Sequence, residues 1–332
     1  MSSASGPRPE NGTPSSQWQG KSLGTPLGHR IFIFLLRNFG LEAAYALLWP
    51  VALWYVFFAP KAGQAVRIYL RHLRGTDKGW RVRAYAIFRV FGKALIDRVA
   101  VRSGMLPKFE LTQNGSEHIK RMVAEGKGGI LISAHLGNWE FAGHMLKRHN
   151  AKVSVVMMNA EREAIKKAVE RGAEKPHFDV IPSDEGVGTT LAINAALAEG
   201  RLICLHGDRR LPHTRARRVT FLGSPALIPL GPFALASASG APVSFCFVVR
   251  RQNVGYHFTA TVPAQGRSPN ELIDAYVTAL EEATRAYPDQ WFNFFDFWAD
   301  ADDPTAGARR RATLPAAAPA HGDGARTGER NP

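Results

Sequence analysis

A histidine five positions ahead of a carboxylate, His135 and Glu140, stands in the stretch Gly128-Gly129-Ile130-Leu131-Ile132-Ser133-Ala134-His135-Leu136-Gly137-Asn138-Trp139-Glu140. A neutral imidazole takes a proton near pH 7, its free pKa being about 6.5. A carboxylate on the other ring nitrogen fixes the tautomer and stabilises the imidazolium as it forms. Together they are equipment for activating a hydroxyl as a nucleophile. The elements around them suit that use. Ile130 to Ile132 is a short apolar run opened by glycines, which predicts a buried strand. Gly137-Asn138 is a turn signal. Trp139, Ala142 and Leu146 then recur at helical spacing, which predicts a helix from Trp139 to Arg148. A strand-to-helix turn is where α/β folds place reactive groups.

The spacing itself carries little information. With 11 His and 28 acidic residues, about one His-x4-acid pair is expected by chance. The chain has two, His72/Asp77 and His135/Glu140. His72 lies in the basic run Arg67-Ile68-Tyr69-Leu70-Arg71-His72-Leu73-Arg74, with no strand before it, and reads as a solvated or lipid-facing surface. His135 follows the most strand-like run of its region. Pattern alone leaves it open between catalysis and a core histidine.

The segment Gly126-Lys127-Gly128 through Glu140 resembles the first sequence block of the lysophospholipid acyltransferase superfamily. It is most similar to the lipid A lauroyl/myristoyl acyltransferase branch, in which HxGNWE is a frequent form of the motif. Further blocks extend the resemblance. Gly207-Asp208-Arg209-Arg210 looks like the family's GD[QR]-type block. Phe221-Leu222-Gly223-Ser224-Pro225-Ala226 with Pro229-Leu230-Gly231-Pro232-Phe233 looks like its FxG-x-PAxxPxGP block. Pro288, Gln290 and Trp291 match its P-x-QW ending, but Phe294 to Trp298 replaces the basic residues that usually follow. That departure speaks against lipid A itself as acceptor. An FNFxDFW ending is similar to relatives associated with aryl polyene and other specialised lipids; as plain physics, the rings read as a packed aromatic core.

The resemblance implies a transfer of a fatty acyl group from an acyl thioester to a hydroxyl of a lipid A-like or other glycolipid acceptor. The donor is an acyl carrier protein or coenzyme A thioester. His135 would be the general base, with Glu140 orienting it and compensating its charge. Backbone N–H groups near Gly137 or Gly231 would stabilise the oxyanion. Asn138 would shape the turn. Asp208, Arg209 and Arg218 are candidates for headgroup or carrier binding, since an Arg held beside an Asp leaves its fork free for phosphate; the bland reading is a surface ion pair. Arg215, Arg217 and Arg218 read as a dense basic loop. Pro232 opens a helix whose free N–H groups suit an anion, or which is simply capped.

The remaining chain must position this site. Strand and helix signals alternate from Gly128 to Gly207, which argues for an α/β fold with a mixed, largely parallel sheet flanked by helices, glycerol-phosphate acyltransferase-like by the resemblance. Ala241 to Arg250 and Tyr256 to Val262 read as a hairpin of strands. Ser268-Pro269-Asn270-Glu271 opens a helix. Residues 1–28 and 300–332 are rich in Ser, Gly, Pro and Ala and read as disordered. Residues 29–75 read as a membrane-anchoring segment and 76–299 as the acyltransferase domain. Leu41 to Ala59 has only Glu42 charged and reaches about 28 Å as a helix, the thickness of a bilayer core. It reads as a spanning helix, kinked at Pro50, or as an interfacial anchor. Five basic residues in Lys61 to Trp80 against three in Lys21 to Gly40 place the following domain on the cytoplasmic side of a bacterial inner membrane.

The chain has 332 residues, a formal net charge of +14 and a pI near 10.1. That calls for an anionic partner. No nucleic-acid module is visible, so the expected partner is an anionic membrane surface or acidic carrier. Cys204 and Cys246 sit in apolar runs and read as buried thiols. There is no HExxH, Walker or GxGxxG pattern, so no metal or cofactor is expected beyond the thioester co-substrate. A missing GxSxG argues against a serine hydrolase. A non-catalytic, basic, membrane-surface binding protein is the alternative from another class.

Overall fold

The structure, a computed structural model, describes residues 26–147, 149–159, 162–163, 178–210, 214–251, 254–299 and 301. Most of the two termini read as disordered, and most of an expected helix over Glu161 to Arg171, lie outside the described residues.

Three helices come first: α1 (Pro26–Phe58), α2 (Pro60–Arg74) and α3 (Trp80–Ala100). α1 breaks at Gly40, whose φ of 81° and ψ of −171° are not helical; the chain continues through Pro50. The 29 residues Arg30–Phe58 are long and apolar enough to cross a membrane. The helix has two faces. Leu36, Ala44, Tyr45, Leu48 and Ala52 are buried, while Phe34, Trp49, Trp54, Phe57 and Phe58 are exposed. Gly75, left-handed at φ 71°, closes α2.

The sheet is built from β1 (Glu110–Asn114), β2 (Gly129–Ser133), β3 (Val153–Met157), β4 (Asp179–Pro182), β5 (Leu202–His206), β8 (Val243–Arg250) and β9 (Gly255–Ala260). Its order is β1-β9-β8-β2-β5-β3-β4. β8, β2, β5, β3 and β4 are parallel, β9 runs antiparallel to β8, and β1 pairs parallel with β9. The mixed, largely parallel sheet read from the sequence is therefore the observed one. Central parallel strands are covered on both faces, which is why β2 and β8 are near-continuous apolar runs. Ile130, Leu131 and Ile132 are at most 1% exposed, each contributing about 1.5–3 kcal/mol of burial.

Helices α4 (Ser116–Ala124), α5 (Glu140–Lys147), α6 (Val187–Ala198), α7 (Gly231–Ser239) and α8 (Pro269–Ala286) complete the described fold. α8 starts with a full capping box between Ser268 and Glu271.

One reading is corrected. Arg217 and Arg218 are not in a loop, and only Arg215 stands before the strand: β6 (Ala216–Phe221) and β7 (Ser224–Pro229) make a separate antiparallel hairpin. Leu222 (φ 50°) and Gly223 (φ 78°) turn it, the positive angles that a two-residue turn between twisted strands requires. The charges hid the strand, because an edge ribbon tolerates arginines on its open face.

Candidate active site

β2 and β5 are adjacent and in register, Ser133 facing His206. Two residues beyond each partner stand His135 and Asp208, past the C-terminal ends of these two interior strands. Gly207 N donates to Ser133 O at 2.9 Å and keeps the chains together past the last pair. His135 Nδ1 lies 2.8 Å from Asp208 Oδ1, and the His135 backbone N–H donates to Asp208 Oδ2 at 3.0 Å. Asp208 is wholly buried, whereas the His135 side chain keeps 23% of its surface exposed. The imidazole is thus partly open to solvent and the carboxylate is not.

Burial alone would raise the Asp208 pKa. His135, by charge and hydrogen bond, and then Arg209 overcome it and hold the group well below the usual carboxylate range. An ionised acceptor fixes the Nδ1–H tautomer of His135 and leaves Nε2 as the lone-pair nitrogen. His206 lies under the base, ring centroids 4.4 Å apart. Burial, with His135 next to it, pushes its pKa down to about 3, so it is neutral at physiological pH. His135, His206 and Asp208 offer donor atoms within 4.8 Å of one another, a set with the chemistry to hold a transition metal.

Glu140 is not the carboxylate hydrogen-bonded to His135 Nδ1. It opens α5, which the turn at Gly137 carries away from the imidazole. There it pairs with Arg98 of α3, and Arg102 Nη2 reaches its Oε2 at 2.9 Å. Burial would raise its pKa, but the charges of Arg98 and Arg102 lower it. Glu140 joins the turn after His135 to α3 through Arg98.

Gly137 and Asn138 are equally occupied. Gly137 N donates to Gln290 O at 2.9 Å and Asn138 N to Val248 O at 2.7 Å. Neither N–H is available to an oxyanion, so that expectation for Gly137 is corrected. Gly137 is required for another reason. Its φ is +72°, and a Cβ would meet Val248 O at 2.0 Å. Asn138 is 2% exposed, and its Nδ2 donates to Ala94 O at 3.1 Å and Tyr256 OH at 3.4 Å. It shapes the turn and touches no open space.

Arg209 Nη2 donates to Phe292 O at 2.9 Å. Gly231 begins α7 and Arg218 is exposed on β6. The second His-x4-acid pair separates as well. His72 is half-buried, stacked on Trp298 at 4.0 Å, with Nδ1 2.8 Å from Ser224 Oγ, rather than on an open surface. Asp77 binds Arg67 and Arg71.

Sequence reasoning missed the contact of Asp208 with His135, and also Trp291, whose Nε1 donates to Asp208 Oδ2 at 3.3 Å. It missed a buried cluster too. Asp97 of α3 accepts from Arg250 Nε at 3.0 Å, Tyr256 OH at 2.6 Å and the Tyr45 hydroxyl of α1. The only available signal was an acid inside an otherwise apolar-basic helix.

Residues 76–299 match the family described as bacterial lipid A biosynthesis acyltransferase. The chain is 25% identical over 187 residues to a phosphatidylinositol mannoside acyltransferase of Mycobacterium tuberculosis, covering 55% of this chain and 58% of that protein. It is 29% identical over 204 residues to the enzyme of the same name from Mycolicibacterium smegmatis, covering 60% and 64%. The chain thus spans less than two thirds of the length of these relatives. Among solved structures, the 1-acyl-sn-glycerophosphate acyltransferase PlsC of Thermotoga maritima aligns with a TM-score of 0.36 at 13% identity, over 78% of this chain and 99% of that one. With more than half of its length matched, the chain belongs to the bacterial lipid A biosynthesis acyltransferase family.

Proposed function

We propose that this protein moves a fatty acyl group from an acyl thioester to a hydroxyl of a membrane glycolipid, with His135 as general base and Asp208 as the carboxylate that holds it. The observation that carries this reading is the 2.8 Å contact between His135 Nδ1 and buried Asp208 past the C-terminal ends of β2 and β5. His135 Nε2 takes the proton of the acceptor hydroxyl. The oxygen attacks the thioester carbonyl, the C–S bond breaks, and the imidazolium returns its proton to the departing thiolate. Acyl carrier protein is the proposed donor, in keeping with the net charge of +14; coenzyme A carries the same thioester.

The acceptor is a glycolipid in both groups of relatives by name, lipid A in one and phosphatidylinositol mannoside in the other. The aromatic Phe294 to Trp298 ending favours an acceptor other than lipid A, an aryl polyene lipid among them. The exposed aromatic face of α1, with its inner face packed on the domain, supports a membrane anchor, and the excess of basic residues after it favours the inner membrane with the site toward the cytoplasm.

The test uses the purified full chain with acyl-carrier and acyl-coenzyme A thioesters, and with lipid A precursor and phosphatidylinositol mannoside as acceptors, read by mass spectrometry. The wild type should give an acylated glycolipid, and His135→Ala should lose transfer by at least about a thousandfold while keeping its fold and membrane binding. Transfer retained by His135→Ala overturns the mechanism, and free fatty acid as the sole product makes the protein a hydrolase.

A further inference from the structure

The stretch Pro288 to Trp291 runs beside the turn that carries His135. Gln290 O accepts from Gly137 N at 2.9 Å, Phe292 N donates to His135 O at 2.8 Å, and Leu136 and Trp291 form an antiparallel bridge. The stretch is pinned from behind. The Gln290 side chain donates to Arg250 O and accepts from Arg250 N, both at 2.7 Å, and Tyr69 OH donates to Pro288 O at 2.8 Å. Asp208 then receives three donors. Oδ1 holds His135 Nδ1, while Oδ2 accepts from the His135 backbone and from the Trp291 indole.

A carboxylate turns about a single soft torsion, so the donors on one oxygen set the direction of the other. The rings around Trp291 are a packed cluster, with Tyr69, Phe221 and Phe297 centroids 5.0–5.4 Å away. Packing alone is served by phenylalanine, the residue at 292, 294, 295 and 297. What tryptophan adds at 291 is an N–H aimed at a wholly buried carboxylate.

We infer that Trp291 is a positioning residue for the proton-transfer pair, its indole N–H fixing the Asp208 carboxylate and, through it, the tautomer and aim of the His135 imidazole. The inference rests on the acyl-transfer reading above, because that chemistry needs an aimed base. Trp291 touches no substrate in this account.

The experiment is a double-mutant cycle in the full chain, between Trp291→Phe and Asp208→Asn, in the acyl-transfer assay. Trp291→Phe should lower kcat about tenfold, the size of one hydrogen bond to a charged group, with KM for donor and acceptor changed less than twofold. In the Asp208→Asn background it should cost less than twofold, since the partner through which it acts is gone. A packing role would cost the same in both backgrounds, and that result overturns the inference, as does a wild-type kcat for Trp291→Phe. Should Trp291→Phe fold poorly, 3-benzothienylalanine at 291 keeps the ring shape and replaces only the N–H, with the same expectations. Wild type and His135→Ala in the same assay report separately on the transferase reading. The ring ¹⁵N spectrum of His135 reads the inference without turnover: one Nδ1–H tautomer in the wild type and two exchanging tautomers in Trp291→Phe, with an unchanged spectrum as the contrary result.

Discussion

Glu140 stands five residues from His135 in the chain and Asp208 stands seventy-three, yet it is Asp208 that touches the imidazole. Both acids are buried, and both have lowered pKa values because nearby cationic groups outweigh desolvation. Their partners separate their work. Glu140 faces two permanent guanidinium charges on α3 and the turn after it, and holds backbone to backbone. Asp208 hydrogen-bonds the His135 imidazole, whose edge is exposed, with the His206 ring beside it. The lesson is that an acid close in sequence is carried off by its own helix. An acid at the end of the neighbouring parallel strand is delivered by the register.

The sharpest way to break this comparison is at the turn that separates the two acids. Gly137→Ala puts a Cβ 2.0 Å from Val248 O at a φ of +72°. It should destabilise the fold by about 3 kcal/mol or more, seen as a large drop in thermal midpoint. A midpoint within 2 °C, at about 4–8 °C per kcal/mol for small domains and less for larger ones, would show that the turn has slack.

Glu140→Gln comes next. It leaves Arg98 and Arg102 without their carboxylate. The cost should be about 2 kcal/mol, below the roughly 3–5 kcal/mol for wholly buried pairs because both guanidiniums are partly exposed. The linkage has a definite sign. A lowered folded pKa means that Glu140 contributes fully above its ordinary value of 4.5, and that this contribution is lost as pH falls through the folded value. Denaturant melts at pH 7 and pH 4 should therefore show a smaller acid loss in Glu140→Gln than in wild type, with the remainder carried by Asp208. Equal acid losses would contradict the pairing. The smallest effect is expected at Arg218, exposed on β6: Arg218→Ala should stay within about 0.5 kcal/mol in the same melts.

The sequence went a long way toward this arrangement. The apolar run Ile130 to Ile132 marked β2, and its end marked His135. Alternation through Gly207 marked the parallel sheet, and the runs Ala241 to Arg250 and Tyr256 to Val262 marked the antiparallel β8–β9 pair. Strand order was not legible. Nothing in Leu202 to His206 says that β5 rather than β3 lies beside β2, and without that neighbour Asp208 reads as a headgroup contact. The Arg-rich β6 was hidden because its polar faces mimic a loop. The C-terminal aromatics read as core, which they are, but hydrophobicity does not distinguish the indole N–H of Trp291 from a phenyl ring. Hydrogen-bond direction belongs to tertiary structure, and local pattern cannot carry it.

The most direct test of the central claim compares Asp208→Asn with Glu140→Gln in one acyl-transfer assay, each corrected for its folded fraction. The account predicts that Asp208→Asn loses about a hundredfold or more in kcat, as expected when a base loses its orienting carboxylate, while Glu140→Gln stays within about fivefold of wild type because it acts on stability. The opposite order, with Glu140→Gln inactive and Asp208→Asn near wild type, would return the catalytic role to the acid of the His-x4-Glu motif and contradict the pairing described above.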